Sequence, residues 1–160
     1  MVKDSQQDPL DEIDVALLRV LQADGRLTNV ELARKVNLSP PATHARVRRL
    51  EQQGFIRQYT AVVDREKAGY DLLCFVHISM QVHQLEHVET SRALISQLPE
   101  VLECHHITGA YDYLLKVAIR NRKDLERFIV DRLTPIPGVA RIQTSLALRE
   151  IKSTTALPLE

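Results

Sequence analysis

The strongest constraint on the fold is the segment from residue 28 to residue 54, whose pattern predicts two short helices joined by a tight turn. Thr28 and Glu31 have the spacing of a capping box, in which each side chain bonds the other residue's backbone amide. Asn37 falls where the chain must turn, and asparagine suits this position because it tolerates the left-handed conformation. Ser39, followed by proline, is a typical start of the second helix. The segment is therefore predicted to be a helix-turn-helix, the motif that places its second helix in a DNA major groove.

The second helix of this motif has two different faces when its residues are counted at about 100° each. Thr43, Val47 and Leu50 lie on the side predicted to face the core, and Arg46 lies at its edge, where we expect it to brace the domain. A basic helix face is usually only solvated, but here it coincides with the capping box and the turn, which favours DNA contact. The residues predicted to contact DNA are Ser39, Pro41, His44, Ala45, Arg48, Arg49, Gln52 and, beyond the helix, Arg57.

The composition is that of an ordinary globular protein, since 44% of its 160 residues are hydrophobic and 26% are charged. Lysine plus arginine and aspartate plus glutamate both number 21, so the positive charge is local, concentrated from Arg46 to Arg57. No apolar run approaches the roughly 20 residues that cross a bilayer, and the polar start is not a signal peptide. Cys74 and Cys104 form no CxxC motif, so we expect buried, reduced thiols of a cytoplasmic protein, with a disulfide as the alternative.

The chain divides into two domains with a tail at each end. A first helix with an apolar side precedes the two motif helices, which gives a three-helix domain. The residues after the motif, from Phe55 to Val63, are rich in β-formers and are predicted to form a hinge strand. The predicted segments are a flexible tail at 1–9, a helix-turn-helix domain at 10–64 whose hinge reaches residue 71, a second domain at 72–150, and a C-terminal tail at 151–160.

The second domain has the element order β-α-β-β-α-β, which is the ferredoxin-like arrangement. The predicted elements are strand 72–82, helix 87–98, strand 101–108, strand 113–119, helix 124–133 and strand 139–148. Two helices would cover one face of the four-stranded sheet and leave the other face bare. Its apolar side chains need a partner, and a second copy of the chain is the simplest one.

Taken together, these segments resemble the Lrp/AsnC family of bacterial and archaeal transcriptional regulators. The resemblance implies an α+β fold, in which a winged helix-turn-helix domain is joined by a hinge strand to a ferredoxin-like βαββαβ domain. It also implies dimerisation through the sheets, further assembly into octamers, and small-molecule effectors, usually amino acids. The segments that carry the resemblance are residues 10–21, 24–26, 29–36, 38–40, 46–54, 55–56, 109–114 and 137–139.

The family's effector site carries over to the turn formed by Thr108, Gly109, Ala110, Tyr111 and Asp112. Glycine lets backbone amides approach a carboxylate, an aspartate can meet an ammonium, and a tyrosine gives an apolar wall. Many family members have an acidic residue where this chain has Ala110, so the ligand would meet Asp112 alone or be of another type. The alternative is a hairpin turn in which Asp112 only caps neighbouring amides.

The sequence indicates a DNA-binding regulator, associated with the nucleoid, whose partners are double-stranded DNA, a small molecule and other copies of itself. We expect no enzymatic activity, metal, cofactor or membrane contact. His105 and His106 point to opposite sides of a strand, and His83 and His87 lack a third ligand nearby. Two alternatives remain: an enzyme resembling the siroheme decarboxylases, in which His105 or His106 acts, and a DNA-packing protein of low sequence preference.

Overall fold

The computed structural model describes residues 9–81 and 85–160, and the side chains of residues 85–87 are not among those described. The chain forms two compact units. The helical unit comprises the residues up to Ala61 together with Lys152–Glu160, and the sheet unit comprises Val62–Ile151. Residues 1–8 of the predicted N-terminal tail lie outside the described residues. In the part of the chain that is described, no helix is both long and apolar enough to cross a membrane.

The helical unit contains three helices: α1 (Glu12–Ala23), α2 (Asn29–Lys35) and α3 (Pro40–Gln52). Each begins at a side-chain cap. Asp11 and Asp14 form a capping box at α1, the predicted box of Thr28 and Glu31 starts α2, and Ser39 caps α3. The helices enclose a core built on the buried side chains of Leu17, Leu18, Leu32 and Leu50.

The turn between α2 and α3 depends on Asn37. Its φ of 54° is the only positive value at a non-glycine residue in the described chain, as the sequence predicts for this position. The amide of Leu38 donates to the carbonyl of Ala33 at 3.0 Å, which closes the turn. The side-chain amide of Asn29 donates to the carbonyl of Pro40 at 2.7 Å, so the start of α2 is fastened to the start of α3.

The predicted hinge strand from Phe55 to Val63 is absent. Residues 55–63 are all described, and none of them belongs to a strand. Phe55 packs on the helical core, and the hydroxyl of Tyr59 donates to the carboxylate of Glu51 at 3.0 Å. Val62 is 92% exposed. No strand in the described part of the chain pairs with these β-forming residues, so their backbone has no partner with which to form a sheet.

The sheet unit has the predicted element order, with four antiparallel strands in the order β2-β3-β1-β4. Only β3 has both predicted bounds. The strands β1, β2 and β4 each end two residues earlier than predicted, α4 lies two residues earlier at both ends, and the last helix begins two residues earlier and changes into a π-helical segment. The elements are β1 (Leu72–Met80), α4 (Leu85–Ser96), β2 (Val101–His106), β3 (Tyr113–Ile119), α5 (Arg122–Arg127), the π-helical segment (Phe128–Leu133) and β4 (Val139–Leu146).

The two faces of the sheet differ in burial. The face toward the helices carries the core, including the fully buried Ile78 and Leu115, which form one cluster with Phe128 of the π-helical segment. The opposite face, named here the open face, carries Phe75 and His77 of β1, their cross-strand neighbours Lys116 and Leu114 on β3, and Ser145 and Gln143 on β4. Its side chains alternate in register with the buried ones, and Phe75 is 36% exposed.

Both cysteines are free thiols, but only one has the predicted burial. Cys74 on β1 is buried, and burial raises the pKa of its thiol, whereas Cys104 on β2 is exposed. The expectation of burial was wrong for Cys104, because β2 is an edge strand. Since β3 lies between the two strands, with Val117 opposite Cys74 and Leu115 opposite Cys104, no disulfide joins them.

Candidate nucleic-acid and ligand sites

The outer face of α3 is open to solvent where the sequence predicts it. Thr43 and Leu50 are fully buried beneath it, and Val47 packs on the helical core. Ser39 is exposed, but its hydroxyl already accepts the amide of Ala42 at 3.4 Å as the helix cap. The exposed residues on this face are Pro41, His44, Ala45, Arg48 and Gln52, and Arg57 is exposed beyond the helix.

Two arginines of α3 turn inward instead, toward a buried carboxylate on α1. Asp14 is 0% exposed and accepts hydrogen bonds from Arg46, at 2.9 Å, and from Arg49. Arg46 also reaches Asp11 at 2.6 Å. Arg46 therefore braces the unit, as expected. Arg49, which was predicted to contact DNA, forms an ion pair with Asp14 while its side chain stays 36% exposed, so its DNA contact remains a prediction.

The charges of this cluster stabilise one another. The backbone amide of Asp14 and then the Arg46 guanidinium lower the pKa of Asp11 below its ordinary value of 3.8. The hydrogen bonds to Asp11 and Asp14 raise the pKa of Arg46. The cluster ties α1 to α3 at the first turn of α1, so it fixes where the outer face of α3 points.

Asp14 is the important residue that the sequence reasoning missed. It lies on the inner side of α1, between residues such as Ile13 and Leu17 that form the apolar stripe. An acid in that position requires a cationic partner from another element, because an unpaired buried charge is strongly unfavourable. That interruption of the stripe, together with the excess of arginines on α3, was the available signal.

The predicted effector turn joins β2 to β3, and its aspartate is held by backbone. The Asp112 carboxylate accepts the amide of Met80 at 2.7 Å, while its own amide donates to the carbonyl of Ile78 at 2.9 Å. Its carbonyl accepts the amide of Ile107 at 2.9 Å. Asp112 therefore anchors the turn to the end of β1, which is the geometry of the capping alternative.

The rest of the turn is accessible. Thr108, Gly109 and Ala110 are exposed, and Gly109 has a φ of 120° that other residues rarely adopt. The carbonyl of Ala110 accepts the Ser79 hydroxyl at 3.3 Å. Gly109 and the hydrogen bonds of Ala110 and Asp112 together shape a turn whose residues from Thr108 to Ala110 are exposed.

Tyr111 extends from this turn over the end of the open face. Its hydroxyl donates to the side-chain carbonyl of Gln143, its ring lies 5.1 Å from the ring of His77, and the guanidinium of Arg141 lies 5.5 Å from its centroid. The Nδ1 atom of His77 is buried without a hydrogen-bond partner among the described residues. The turn and the open face are thus one continuous surface of the sheet unit.

The remaining histidine candidates are separated from one another. His105 bonds Glu103 at 3.1 Å on the open face, and this bond, followed by that of Lys116, lowers the pKa of Glu103. His106 stacks on Tyr113, with ring centroids 5.1 Å apart. The described side chains, those of residues 9–81 and 88–160, contain no cluster of three or more metal-ligating groups. The pair of His83 and His87 cannot be assessed, because His83 and the side chain of His87 lie outside the described residues.

Comparison with known proteins gives matches to both units. Residues 10–57 match the winged helix-turn-helix DNA-binding family, and residues 73–157 match the Lrp/AsnC ligand binding domain. The leucine-responsive regulatory protein of Salmonella typhimurium is 38% identical over 160 residues, which cover 98% of each chain. The transcriptional regulator AzlB of Bacillus subtilis is 33% identical over 151 residues, covering 94% of this chain and 96% of that relative. A transcriptional regulator of Neisseria meningitidis, solved in complex with L-Met, is 40% identical with a TM-score of 0.91, covering 94% of this chain and 97% of its own.

Proposed function

Because the chain belongs to the Lrp/AsnC family of DNA-binding transcriptional regulators, we propose that it reads DNA through the outer face of α3 and that an amino acid bound near residues 108–112 changes its DNA affinity. An effector changes DNA affinity only by binding one state of the protein better than another. The coupling between such sites is typically about 1–3 kcal/mol and is reciprocal.

The DNA proposal rests on one observation: some arginines of α3 form ion pairs within the unit, and another does not. Arg46 and Arg49 pair with Asp14, whereas Arg48 is exposed on the same face as His44 and has no ion pair among the described residues. An exposed, unpaired guanidinium on a helix-turn-helix recognition helix can bond a guanine edge or a phosphate. We propose that Arg48 is the principal contact, with Ser39, Pro41, His44, Ala45, Gln52 and Arg57 around it.

The test compares Arg48→Ala with Arg122→Ala, an exposed arginine on α5 of the sheet unit. Binding of each full-length variant to DNA from upstream of the protein's own gene is measured by fluorescence anisotropy at several salt concentrations. Arg48→Ala should weaken binding by about 1–3 kcal/mol if it reads a base, or flatten the salt slope if it binds phosphate. Equal binding by Arg48→Ala and Arg122→Ala, with neither slope changed, would reject the assignment. Footprinting then separates phased sites from the extended protection of a DNA-packing protein.

For the effector, we propose an amino acid that bonds the exposed backbone of Thr108, Gly109 and Ala110 beside Tyr111. The regulator from Neisseria meningitidis was solved with L-Met, which makes methionine and other apolar amino acids the first candidates. The Asp112 carboxylate has two possible roles: it could meet the ligand's ammonium, or it could only hold the turn through Met80. Either role would be lost in Asp112→Ala, so this variant alone does not distinguish them.

A thermal-shift screen of the twenty amino acids, repeated on Asp112→Asn and Asp112→Ala, separates these roles. Asparagine keeps an oxygen for the Met80 amide but removes the charge. If Asp112 meets the ammonium, both variants should lose the shift; if it only anchors the turn, Asp112→Asn should respond like the parent. The assignment of the site to residues 108–112 would be rejected if the amino acids raised the melting temperature of all three proteins equally, or if none raised that of the parent.

We propose that the open face mediates dimerisation and that dimers assemble further into octamers. Phe75, a large apolar side chain, is 36% exposed there, and a second copy packed on this face would cover it. Sedimentation should show Phe75→Lys as a smaller species than the parent, while Val130→Lys on the helical side should sediment like the parent. A cytoplasmic, nucleoid-associated location follows from this function and is tested by imaging a fluorescent fusion.

A further inference from the structure

The C-terminal segment makes a specific set of hydrogen bonds with α1 inside the helical unit. The Arg19 guanidinium donates to the carbonyl of Leu159 through Nε, at 2.7 Å, and through Nη2. The side-chain amide of Gln22 pairs in both directions with the backbone of Leu157, donating to its carbonyl at 3.2 Å and accepting its amide at 2.6 Å. On the side of the C-terminal segment, all of these hydrogen bonds go to backbone groups of Leu157 and Leu159.

Packing adds a second, independent contact. Leu159 is partly buried and packs against the cluster of Leu17, Leu18, Leu32 and Leu50, whereas Leu157 is 66% exposed. Pro158 lies between them with a fixed φ and no amide to satisfy. The amide of Leu159 donates to the carbonyl of Leu157 at 2.9 Å, so a tight turn around Pro158 directs Leu159 into the core.

We propose that Arg19 and Gln22 form a docking surface on α1 for the chain's own C-terminal segment, Lys152–Glu160. This replaces the sequence prediction of a tail at 151–160. The sheet unit is then an insertion that is linked to the helical unit at both of its ends, at residues 61–62 and 151–152. The second link follows β4 in the chain, and the proposed docking of the segment after it does not depend on the proposed function.

The docking is tested in the full chain by hydrogen exchange, using a matched pair of leucines. Leu159→Asp places a charge against the helical core, while Leu157→Asp places the same charge in solvent. We expect α1 amides to exchange at least about tenfold faster in Leu159→Asp than in the parent, and Leu157→Asp to behave like the parent. The amides of β1 and β3 serve as the internal reference and should be unchanged in both variants.

A second variant controls for misfolding that the introduced charge itself would cause. Arg19→Ala combined with Gln22→Ala removes the hydrogen bonds from exposed positions without placing any group in the core. It should also speed exchange in α1 and in residues 156–160, because the segment is released. Parent-like exchange in α1 for both Leu159→Asp and this double variant would overturn the proposal, as would equal effects of Leu159→Asp and Leu157→Asp.

Discussion

Replacing Asp14 by asparagine is the sharpest test of how α3 is held. The substitution keeps the size of the side chain and one oxygen acceptor but removes the charge that faces Arg46 and Arg49. It also turns an amide group toward one of two guanidinium groups, which have only donors to offer. Both guanidinium groups would then lie beside a neutral side chain that does not compensate their positive charges, so α1 and α3 should separate more easily.

The magnitude follows from the burial of the three side chains. Asp14 is 0% exposed, but the side chains of Arg46 and Arg49 are 29% and 36% exposed. Removing one partner of a fully buried ion pair costs about 3–5 kcal/mol, while an exposed pair contributes about 0–1 kcal/mol. Because water can reach both arginines after the change, we place the loss near the middle, at about 2 kcal/mol.

Local hydrogen exchange in the full chain measures this loss without assuming that both units unfold together. A loss of about 2 kcal/mol corresponds to about 30-fold faster exchange of protected α1 and α3 amides. Asp24→Asn is the matched control, because Asp24 is an exposed residue at the other end of α1. If Asp14→Asn exchanges no faster than Asp24→Asn, the buried ion-pair cluster does not hold α3 and the argument is wrong.

Three further predictions concern the same unit. Arg49→Gln should lower the local stability of α3 by about 1–2 kcal/mol, measured by hydrogen exchange, because a donor to buried Asp14 is lost; a folded Arg49→Gln that loses only DNA affinity would restore it as a DNA contact. The pKa of Asp11 is lower in the folded than in the unfolded chain, so the ionised carboxylate contributes its full stability above pH 3.8 and loses it as the pH falls through the pKa of the folded chain. Asp11→Asn should therefore lose less stability to urea than the parent does when the pH falls below 3.8. The same acid dependence in both proteins would contradict this. Asn37→Gly should preserve the turn at a φ of 54°, whereas Asn37→Val should destabilise the unit by about 1–2 kcal/mol in urea unfolding; equal midpoints would argue against strain there.

The parts of the fold that the sequence predicts correctly depend on neighbours in the chain. The capping box of Thr28 and Glu31, the left-handed Asn37 and the buried Thr43 and Leu50 each follow from spacing within a few residues. The alternation of β3 is also local, and its bounds are as predicted.

The features that could not be predicted depend on distant partners. Arg48 and Arg49 are adjacent and chemically identical, and only the position of Asp14 on another helix decides which of them forms an ion pair. The β-formers between Phe55 and Val63 indicate a strand, but a strand also requires a pairing partner, and residues 9–81 and 85–160 do not supply one. In the same way, Leu159 has no helical or strand periodicity around it that would indicate burial.

The docked C-terminal segment has a consequence for the order of synthesis. Domains of a growing polypeptide generally fold as units, the N-terminal one first. Here α1, α2 and α3 leave the ribosome early, but Leu159 emerges only after residues 62–151 have been made. The three helices therefore lack the core side chain of Leu159 while the whole sheet unit is translated. The helical unit reaches its full stability only after the sheet unit has been synthesised.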